Sequence, residues 1–474
     1  MEDIKTKLVA TIGPATSSEE MIDSLILRGV NVFRLNLSHE SHENHRKTIH
    51  LIRKLTEKHK AHIAILTDLQ GPKLRIGDIE QGEITLVAGK KILLTTKHCN
   101  GDEHCLHVSY KDFPQDVEPG EAILIDDGKI KLKVLETDKK ENVLSEVIYG
   151  GKLTSRKGIN LPNTKISLPS LTEKDMADAL FAIEEEVNWI GLSFVRSAED
   201  LKPLRALIHS HNKHISIIAK IEKPEAFSEI DEIITEADAI MVARGDLGVE
   251  MSFDQVPMLQ KMIVRKCLQK AKPVIIATQM MESMIANFRP TRAEANDVAN
   301  SVMDGADAVM LSGETSIGAF PCEAVDAMRQ IVAFTENNGY QFGKTYCLPD
   351  SSTPAFIRDS ICYNAYKMAE QMKAKVIVAF TNSGYTAMKI ASYRPQAKIF
   401  AFTNNRNLVN KMPLLWGTKA YYYEDFGNMD LALAESVNQL KKEKILNAGD
   451  MILHVGSVPI DKKGSANMIR VSCV

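Results

Sequence analysis

The stretch MVARGDLGVE, residues 241–250, begins as part of a buried strand and ends in charged side chains. The apolar run that leads into it starts at Ala239, and Arg244, Gly245 and Asp246 follow it without a break. A strand that is covered on both faces and carries charge only at its C-terminal end is typical of a parallel sheet whose strand ends form a ligand site. We therefore predict that this segment supplies residues to a functional site.

Seven further apolar runs of the same kind precede or follow this strand, and amphipathic helical stretches separate most of them. The eight runs are TKLVATIG (6–13), NVFRLNLS (31–38), HIAILTDLQG (62–71), NWIGLSFVR (188–196), ISIIAKIE (215–222), DAIMVARGD (238–246), PVIIATQM (273–280) and DAVMLSGE (307–314). This pattern predicts a (β/α)8 TIM barrel in the α/β class. A doubly wound open sheet is the alternative, but no GxGxxG motif follows the first strand.

The alternation is interrupted once and later resumes in a different form. Between TDLQGPKLR and SLPSLTEKD lie short alternating apolar runs separated by Gly, Asp and Asn, which predict a small inserted β domain after the third barrel strand. A new series of strands and helices near residue 345 predicts a C-terminal open α/β domain. The predicted limits are 1–70 and 168–344 for the barrel, 71–167 for an inserted β-barrel lid domain, and 345–474 for the C-terminal domain.

The composition is that of a globular protein with no excess of positive charge. Of the 474 residues, 44% are hydrophobic and 25% are charged, and the net charge is −3. We therefore expect neither nucleic acid nor a membrane as a partner. The seven cysteines form no CxxC pair and no Cys/His metal spacing, and the N-terminus lacks a signal-peptide pattern. These features predict a cytoplasmic protein with reduced thiols.

Polar residues follow the predicted barrel strands at the end where such strands meet in one mouth. Lys220 and Glu222 lie two positions apart, so both side chains point to the same side as Ile218. They either neutralise each other as a structural ion pair or bind a ligand. Asp246 adds a second carboxylate from the next strand, and two carboxylates with open coordination positions suit Mg²⁺. No His or Cys lies near them in the sequence, which argues against Zn²⁺.

Gly245 and the DLG motif around it permit a tight turn whose backbone N–H groups face outward. Such a turn, or the start of a helix, binds a carboxylate or a phosphate. The alternative is a glycine that only forms the turn. The sequence identifies no partner for Arg244, which we interpret as a bridge to a neighbouring strand end or to another subunit.

Long motifs cover most of the barrel and its insertion. They are FRLNLSH (33–39), TDLQGPKLR (67–75), SRKGINLP (155–162), IAKIEKPEAF (218–227), MVARGDLGVE (241–250), ATQMMESM (277–284) and PTRAEANDVANSVMDGADAVMLSGET (290–315). In this order they resemble the pyruvate kinase family, and the similarity continues to the C-terminal end. The resemblance implies Mg²⁺-dependent transfer of a phosphoryl group from phosphoenolpyruvate to ADP in glycolysis. It also implies allosteric regulation and a homotetramer.

The resemblance assigns roles to the residues at the predicted mouth. Glu222 and Asp246 would hold Mg²⁺, with Mn²⁺ as an alternative metal. Lys220 would neutralise the phosphoryl group and the enolate, and Arg34 would bind the phosphoryl oxygens. Thr278 would bind the substrate and assist proton delivery to its methylene carbon.

The resemblance also implies contacts with the substrate carboxylate and the nucleotide. The amides of Gly245 and Asp246 would bind the carboxylate together with Thr278. Arg75 and Lys157 belong to the inserted domain, which would close as a lid and exclude water. The residues implied in nucleotide binding are Asn36, His39, Arg75 and Lys157.

Many pyruvate kinases need K⁺, and the chain departs from their motif. The residues that match the K⁺ ligands are Asn36, Ser38, Asp68 and Leu69. Leu69, Gln70 and Lys73 stand where the K⁺-dependent relatives have Thr, Lys and Glu. The Lys73 ammonium would supply the charge that K⁺ otherwise brings and would repel the ion. We expect activity that depends little on K⁺; the alternative is a Lys73 that is only solvated at the rim.

The C-terminal domain contains the loop FTNSGYTA (380–387), which follows a strand and opens a helix. Ser383, Gly384 and Thr386 are placed to offer hydroxyls and amides to a phosphate. The resemblance implies a sugar-phosphate or nucleotide effector there. Two other functions are alternatives: a barrel lyase or aldolase acting on an enolate with Mg²⁺, and a metabolite sensor that has lost catalysis. The first has no use for Arg75 and Lys157, and the intact mouth residues argue against the second.

Overall fold

Eight parallel strands close into a barrel in the computed structural model, which describes residues 4–162, 164–338, 348–424, 428–458 and 466–474. Each barrel strand pairs with the next barrel strand along the chain, and the eighth pairs with the first through Ala308 and Lys7. The TIM barrel predicted from the sequence is confirmed, and the open doubly wound sheet is excluded. Barrel strands 1 to 8 are Lys7–Ile12, Val32–Asn36, Ala64–Asp68, Trp189–Leu192, Ser216–Ile221, Ala239–Ala243, Val274–Ala277 and Ala308–Leu311.

The barrel strands are apolar on both faces because both faces are covered. On barrel strand 5, Ile217, Ala219 and Ile221 pack in the layer between the strands and the helices, whereas Ile218 packs inside the barrel. Side chains alternate between the two faces of a strand. Lys220 therefore shares the inward side of Ile218, and this alternation directs its ammonium towards the mouth.

Helices surround the barrel and follow its strands. The helix Arg244–Glu250 starts directly after barrel strand 6, so MVARGDLGVE turns from strand to helix at its charged residues. The other helices are Glu19–Leu27, His42–His59, Glu173–Glu184, Lys202–Ser210, Ile230–Glu236, Val256–Lys270, Arg292–Asp304, Gly313–Ser316 and Pro321–Asn338, with 3₁₀ turns at Ala198–Leu201, Pro224–Phe227 and Glu282–Ile285.

The segment between barrel strands 3 and 4 folds into a β domain with its own apolar core, called the lid domain below. The two edges of its main sheet meet where Ile76 pairs with Val108, and a short helix covers Phe113–Asp116. A separate ribbon pairs Glu83–Leu86 with Gly151–Thr154. The main sheet has the order Leu74–Arg75, Gly158–Asn160, Ala122–Ile125, Ile130–Thr137, Asn142–Tyr149, Lys91–Thr95 and Cys105–His107.

The C-terminal domain is an open five-stranded sheet covered by helices, as predicted. Its strands, in sheet order, are Thr418–Tyr422, Lys398–Thr403, Val376–Phe380, Met451–Gly456 and Met468–Cys473. Only the last pair is antiparallel. The helices are Phe356–Gln371, Tyr385–Ser392, Arg406–Lys411 and Met429–Lys442, with a 3₁₀ turn at Met412–Leu414.

A buried ion pair joins the C-terminal domain to the barrel. Arg394 Nη2 lies 2.9 Å from Asp307 Oδ2, and neither side chain is more than 3% exposed. Arg394 also donates to Gly305 O at 2.6 Å, and Asp307 Oδ1 accepts from Trp416 N at 3.2 Å. The pair is thus bonded on both sides, as a buried charge requires. None of the helices in the described ranges is long and apolar enough to cross a membrane.

His454 lies in the interior of the C-terminal sheet, on the strand Met451–Gly456. Burial, together with the charge of Arg470, lowers the pKa of its imidazole to about 4. The folded protein therefore holds this histidine in its neutral form at pH values where an unfolded chain would protonate it.

We predict that His454 makes the fold sensitive to mild acid. Between pH about 6.5 and about 4 the unfolded state binds a proton that the folded state does not, so stability is full above this window and falls as the pH drops through it. In a His454→Met variant the free energy of unfolding, from urea denaturation, should fall by roughly 3 kcal/mol less than in the wild type between pH 7 and pH 4. His209→Gln, at an exposed position, is the control. A pH dependence equal in wild type and His454→Met would contradict this prediction.

Candidate active site

A buried cluster of alternating charges fills the C-terminal end of the barrel. Lys220 lies at its centre: its Nζ is 3.1 Å from Asp68 Oδ1, 2.9 Å from Glu222 Oε1 and 2.6 Å from Ser193 Oγ. Asp68 and Glu222 are each 1% exposed. Lys220 and Glu222 therefore do form an ion pair, and they form it at the mouth. Arg34, Asp68, Lys220 and Glu222 are called the mouth cluster below.

Arg34 enters the mouth cluster from barrel strand 2 and binds the same carboxylate as Lys220. Its Nε and Nη2 lie 2.8 and 2.5 Å from Asp68 Oδ2, and its Nη1 donates to Thr11 Oγ1 at 3.2 Å. Gly191 on the neighbouring strand makes room, because a Cβ there would lie 2.9 Å from Asp68 Oδ1. Asp68 thus positions both cations of the cluster.

The charges of the mouth cluster control its protonation. Burial opposes the ammonium of Lys220, but Asp68 and Glu222 outweigh burial and raise its pKa above the ordinary value. Burial also acts against the Asp68 carboxylate, yet Lys220 and Arg34 lower its pKa below the usual range. Burial raises the pKa of Glu222, and the charge of Asp246 adds to this effect while Lys220 opposes it. Lys220 therefore remains protonated at neutral pH, whereas a further cation near Glu222 and Asp246 would stabilise their carboxylate forms.

Gly245, Asp246 and Thr278 form the side of the mouth next to this cluster. Gly245 N donates to Thr278 Oγ1 at 2.7 Å, and a Cβ at Gly245 would lie 3.3 Å from the same oxygen. Thr278 has a φ of +65°, a left-handed conformation that is rare for a β-branched residue. A bound carboxylate that used the Gly245 amide and the Thr278 hydroxyl together would replace the hydrogen bond between them.

Arg244 turns away from Asp246 and holds the end of the next barrel strand. Its Nη2 donates to Thr278 O at 2.9 Å and to Gln279 O at 3.1 Å, and it lies 2.7 Å from Asp297 Oδ2. These carbonyls belong to two consecutive residues with positive φ. Of the two interpretations of Arg244 drawn from the sequence, the structure shows the bridge to a neighbouring strand end, and this bridge stabilises the unusual conformation of Thr278.

Glu222 and Asp246 provide the oxygen donors that a hard divalent cation prefers. Glu222 Oε2 accepts from Phe194 N at 2.8 Å, which fixes its carboxylate, and the side chain of Asp246 is 31% exposed. Across the described ranges, no three or more His, Cys, Asp or Glu side chains gather into a metal-binding group. Two carboxylates leave most coordination positions to water and substrate oxygens, as Mg²⁺ prefers, so the donor set fits this ion.

The residues predicted to bind a nucleotide lie on both sides of the junction with the lid domain. Asn36 ends barrel strand 2 opposite Asp68, and His39 lies near cations: burial and the charge of Arg75 lower the pKa of its imidazole. Arg75 donates to the carbonyl of Arg156 at 3.0 Å. Lys157 Nζ lies 2.8 Å from Asp126 Oδ1. Both lid cations are thus bonded within the lid domain.

The four residues that match K⁺ ligands lie together at the ends of barrel strands 2 and 3. Asn36 Oδ1 accepts from Ser38 N at 3.1 Å, and the Leu69 carbonyl accepts from Ser193 Oγ at 2.7 Å. Asp68 is engaged by the two cations of the mouth cluster. Lys73 Nζ lies 4.0 Å from Asp246 Oδ1, on the Mg²⁺ side of the mouth, and about one-third of its side chain is exposed.

The loop predicted to bind an effector begins the helix Tyr385–Ser392. Ser383 is exposed, and Gly384 has a φ of +88° and donates its N–H to Thr381 Oγ1 at 2.9 Å. Thr386 is buried within the first turn of the helix. Ser383 and the backbone N–H groups of the first turn are therefore better placed to meet a ligand than the Thr386 hydroxyl.

Several groups that position the mouth cluster are not among the predicted site residues. Ser193 donates to the Leu69 carbonyl and binds Lys220, and reading polar residues at strand ends identifies it. Thr11 lies on barrel strand 1 and supports Arg34, while Phe194 contributes its backbone N–H to Glu222. A backbone donor leaves no signal in the sequence.

Comparison with known proteins agrees with this architecture. The family model for the pyruvate kinase barrel domain matches residues 4–325, and that for the pyruvate kinase alpha/beta domain matches residues 359–472. A pyruvate kinase of Geobacillus stearothermophilus is 40% identical over 472 residues, covering 99% of this chain and 80% of the relative. A pyruvate kinase of Corynebacterium glutamicum is 40% identical over 470 residues, covering 99% and 97%.

A solved structure gives the same result. The crystal structure of a pyruvate kinase from Cryptosporidium parvum superimposes with a TM-score of 0.93 at 34% identity, covering 99% of this chain and 96% of that one. Two family models span most of the chain in the order of its domains, and full-length relatives share two-fifths of its residues. The chain belongs to the pyruvate kinase family.

Proposed function

We propose that the mouth cluster performs the reaction of this family, the transfer of the phosphoryl group of phosphoenolpyruvate to ADP, with the residue roles that follow. The observation that carries these roles is the protonated Lys220 between Asp68 and Glu222, beside the second cation Arg34. Family membership makes the chain a glycolytic phosphotransferase whose substrates are phosphoenolpyruvate and ADP.

Two cations hold the phosphoryl group in this proposal. During transfer, negative charge spreads over the three equatorial oxygens, which Lys220 and Arg34 stabilise. The bond between phosphorus and the enol oxygen breaks, a terminal phosphate oxygen of ADP forms the new bond, and the electron pair stays on the enol oxygen. Because its pKa is raised, Lys220 stays charged and stabilises this enolate as a fixed electrophile.

The substrate carboxylate binds on the opposite side of the mouth. The amides of Gly245 and Asp246 and the hydroxyl of Thr278 donate to it, and Arg244 keeps Thr278 in place through the carbonyl of Thr278. After transfer, the methylene carbon of the enolate takes up a proton and becomes the methyl group of pyruvate. The Thr278 hydroxyl is suited to assist this step through a water molecule.

Glu222 and Asp246 would hold the divalent cation, Mg²⁺ or Mn²⁺. When bound, the ion supplies charge neutralisation for the substrate carboxylate and the enol oxygen. Phe194 N and Lys220 orient the Glu222 carboxylate, and the exposure of Asp246 leaves its oxygens accessible.

The lid domain, predicted as residues 71–167, would close over the mouth and bring cations to ADP. Asn36 and His39 bind the nucleotide from the barrel side, while Arg75 and Lys157 exchange their lid partners Arg156 and Asp126 for phosphate oxygens. Closure excludes water, which protects the phosphoryl group from hydrolysis. A lyase or aldolase would have no use for these lid cations.

We predict that Lys220→Met lowers kcat by about 100- to 1,000-fold, because it removes the charge that stabilises the enolate. The measurement is ADP-dependent pyruvate release coupled to lactate formation. The matched control is Lys152→Met in the lid domain, where Lys152 is 74% exposed and pairs with Glu83. Full turnover by Lys220→Met would contradict the role assigned to this residue.

The family implies a divalent metal and usually K⁺; for this chain we propose that dependence on K⁺ is weak. The Lys73 ammonium supplies a positive charge at the mouth, 4.0 Å from Asp246. Arg34 and Lys220 bind the Asp68 carboxylate, Ser38 N donates to Asn36 Oδ1, and Ser193 Oγ donates to the Leu69 carbonyl. Because these oxygens already accept hydrogen bonds from protein groups, the site does not need K⁺ to hold them in place.

We predict less than tenfold stimulation of the wild type by K⁺ in a Na⁺-free quaternary-ammonium buffer. Lys73→Glu restores the carboxylate of the K⁺-dependent relatives and should make activity rise with K⁺, since the ion then replaces the lost charge. Lys73→Met, which removes the charge without adding a carboxylate, is the comparison. Stimulation of the wild type by tenfold or more would contradict the proposed weak dependence on K⁺.

We further propose that a sugar phosphate or a nucleotide binds at Ser383 and the first turn of its helix, and that the chain forms a cytoplasmic homotetramer. Large exposed apolar side chains such as Phe253 (86%) and Met258 (68%) support assembly.

We predict that a labelled sugar phosphate or nucleotide binds saturably and that Ser383→Asp weakens this binding by charge repulsion. We also predict that the chain sediments as a tetramer. Absence of saturable binding for every candidate would refute the effector site, and sedimentation as a monomer would refute the tetramer.

A further inference from the structure

Two buried side chains and one half-buried side chain connect the lid domain to the barrel mouth. Glu250 Oε1 lies 2.8 Å from Lys223 Nζ and accepts from Asn160 Nδ2 at 2.8 Å. The side chains of Lys223 and Glu250 are 7% and 1% exposed. One carboxylate oxygen therefore serves a barrel cation and a lid amide at the same time. We call Asn160, Glu250 and Lys223 the hinge triad.

Each member of the hinge triad stands next to a part of the site. Lys223 directly follows Glu222, the proposed metal ligand just after barrel strand 5. Glu250 is the last residue of the helix whose first turn contains Gly245 and Asp246. Asn160 ends the lid strand Gly158–Asn160, which starts one residue after Lys157. The triad thus joins the segments that carry Glu222 and Asp246 to the lid strand that follows Lys157.

The second carboxylate oxygen of Glu250, Oε2, is buried and accepts no hydrogen bond from a protein group of the described residues. The triad lines a cavity of about 20 Å³ together with Lys73, Phe194, Arg196 and other residues of the lid junction. This volume suffices for one water molecule. A buried ion pair contributes little net stability compared with apolar packing, so burial for stability alone does not account for the triad.

We propose that the hinge triad sets the orientation of the lid domain relative to the metal-bearing elements, with Glu250 as a positioning residue for ADP. When Glu250 holds Asn160, the lid strand and the helix Arg244–Glu250 keep one fixed distance. Arg75 and Lys157 then approach the mouth from a defined direction. Loss of the Asn160 contact leaves the barrel-side residues in place but lets the lid adopt other orientations.

The inference rests on the nucleotide-binding role proposed for the lid domain. Phosphoenolpyruvate contacts only barrel residues in that proposal, whereas ADP contacts both barrel and lid. A loosened hinge should therefore act on the two substrates unequally. A triad that only stabilised the fold would lower the stability and leave the KM values of both substrates unchanged.

The test compares Asn160→Ala, which removes only the lid contact, with Glu250→Gln, which removes the charge that Lys223 pairs with. We expect Asn160→Ala to raise KM for ADP about tenfold, as loss of a hydrogen bond to a charged group predicts, with less than threefold change in KM for phosphoenolpyruvate. Glu250→Gln should show the same split with a larger loss of kcat. Amide hydrogen exchange should become faster in residues 72–76 and 158–162 of both variants.

Glu83→Gln, which removes the carboxylate of an exposed ion pair with Lys152, is the matched control in the lid domain. If Glu250→Gln fails to fold, Asn160→Ala still tests the proposal, because it leaves the ion pair of Glu250 and Lys223 intact. Unchanged KM values for both substrates in Asn160→Ala, beside an active wild type, would overturn the positioning role of the triad, whether or not amide exchange becomes faster. A wild type without ADP-dependent pyruvate release would instead refute the roles proposed for the mouth.

Discussion

The site depends on one constraint, which is that the buried ammonium of Lys220 must be matched by carboxylates on two sides. Asp68 reaches it from barrel strand 3, and Glu222 reaches it from the position just after barrel strand 5. Barrel strands 3 and 5 both pair with barrel strand 4, and this pairing brings their ends together although the lid domain separates them in the chain. Asp68 also accepts hydrogen bonds from Arg34, and Arg34 in turn donates to Thr11 on barrel strand 1.

The second side of the mouth is held by backbone conformation instead of charge. Thr278 takes a left-handed conformation, and Arg244 offsets the associated strain by binding the carbonyls of Thr278 and Gln279. Asp297 neutralises Arg244 from a separate helix. The two charged residues in MVARGDLGVE therefore point in different directions: Asp246 faces the mouth, and Arg244 binds the backbone at its rim. Gly245 separates them and leaves space for the Thr278 hydroxyl.

The barrel and the inward residues of its mouth could be predicted from the sequence because both follow from local periodicity. A strand alternates its side chains, so the inward direction of Lys220 follows from its distance to Ile218. Contacts across separate elements could not be predicted in this way. The bridge from Arg244 to Asp297 and the contact from Glu250 to Asn160 join residues 53 and 90 positions apart. Their pairing depends on how helices and domains pack, which periodicity does not report.

The charge balance of the mouth gives a reason for coupling it to the lid domain. Asp68, Glu222 and Asp246 face the cations Lys220 and Arg34, with Lys73 4.0 Å from Asp246, and burial followed by the charge of Asp246 raises the pKa of Glu222. A site of this kind is completed by a cation and by anionic substrates that bring further negative charge. Arg75 and Lys157 can balance that charge only when the lid lies over the mouth. In the proposed reaction, a link between the lid domain and the segments that carry Glu222 and Asp246 would bring Arg75 and Lys157 to the place where the substrates add negative charge.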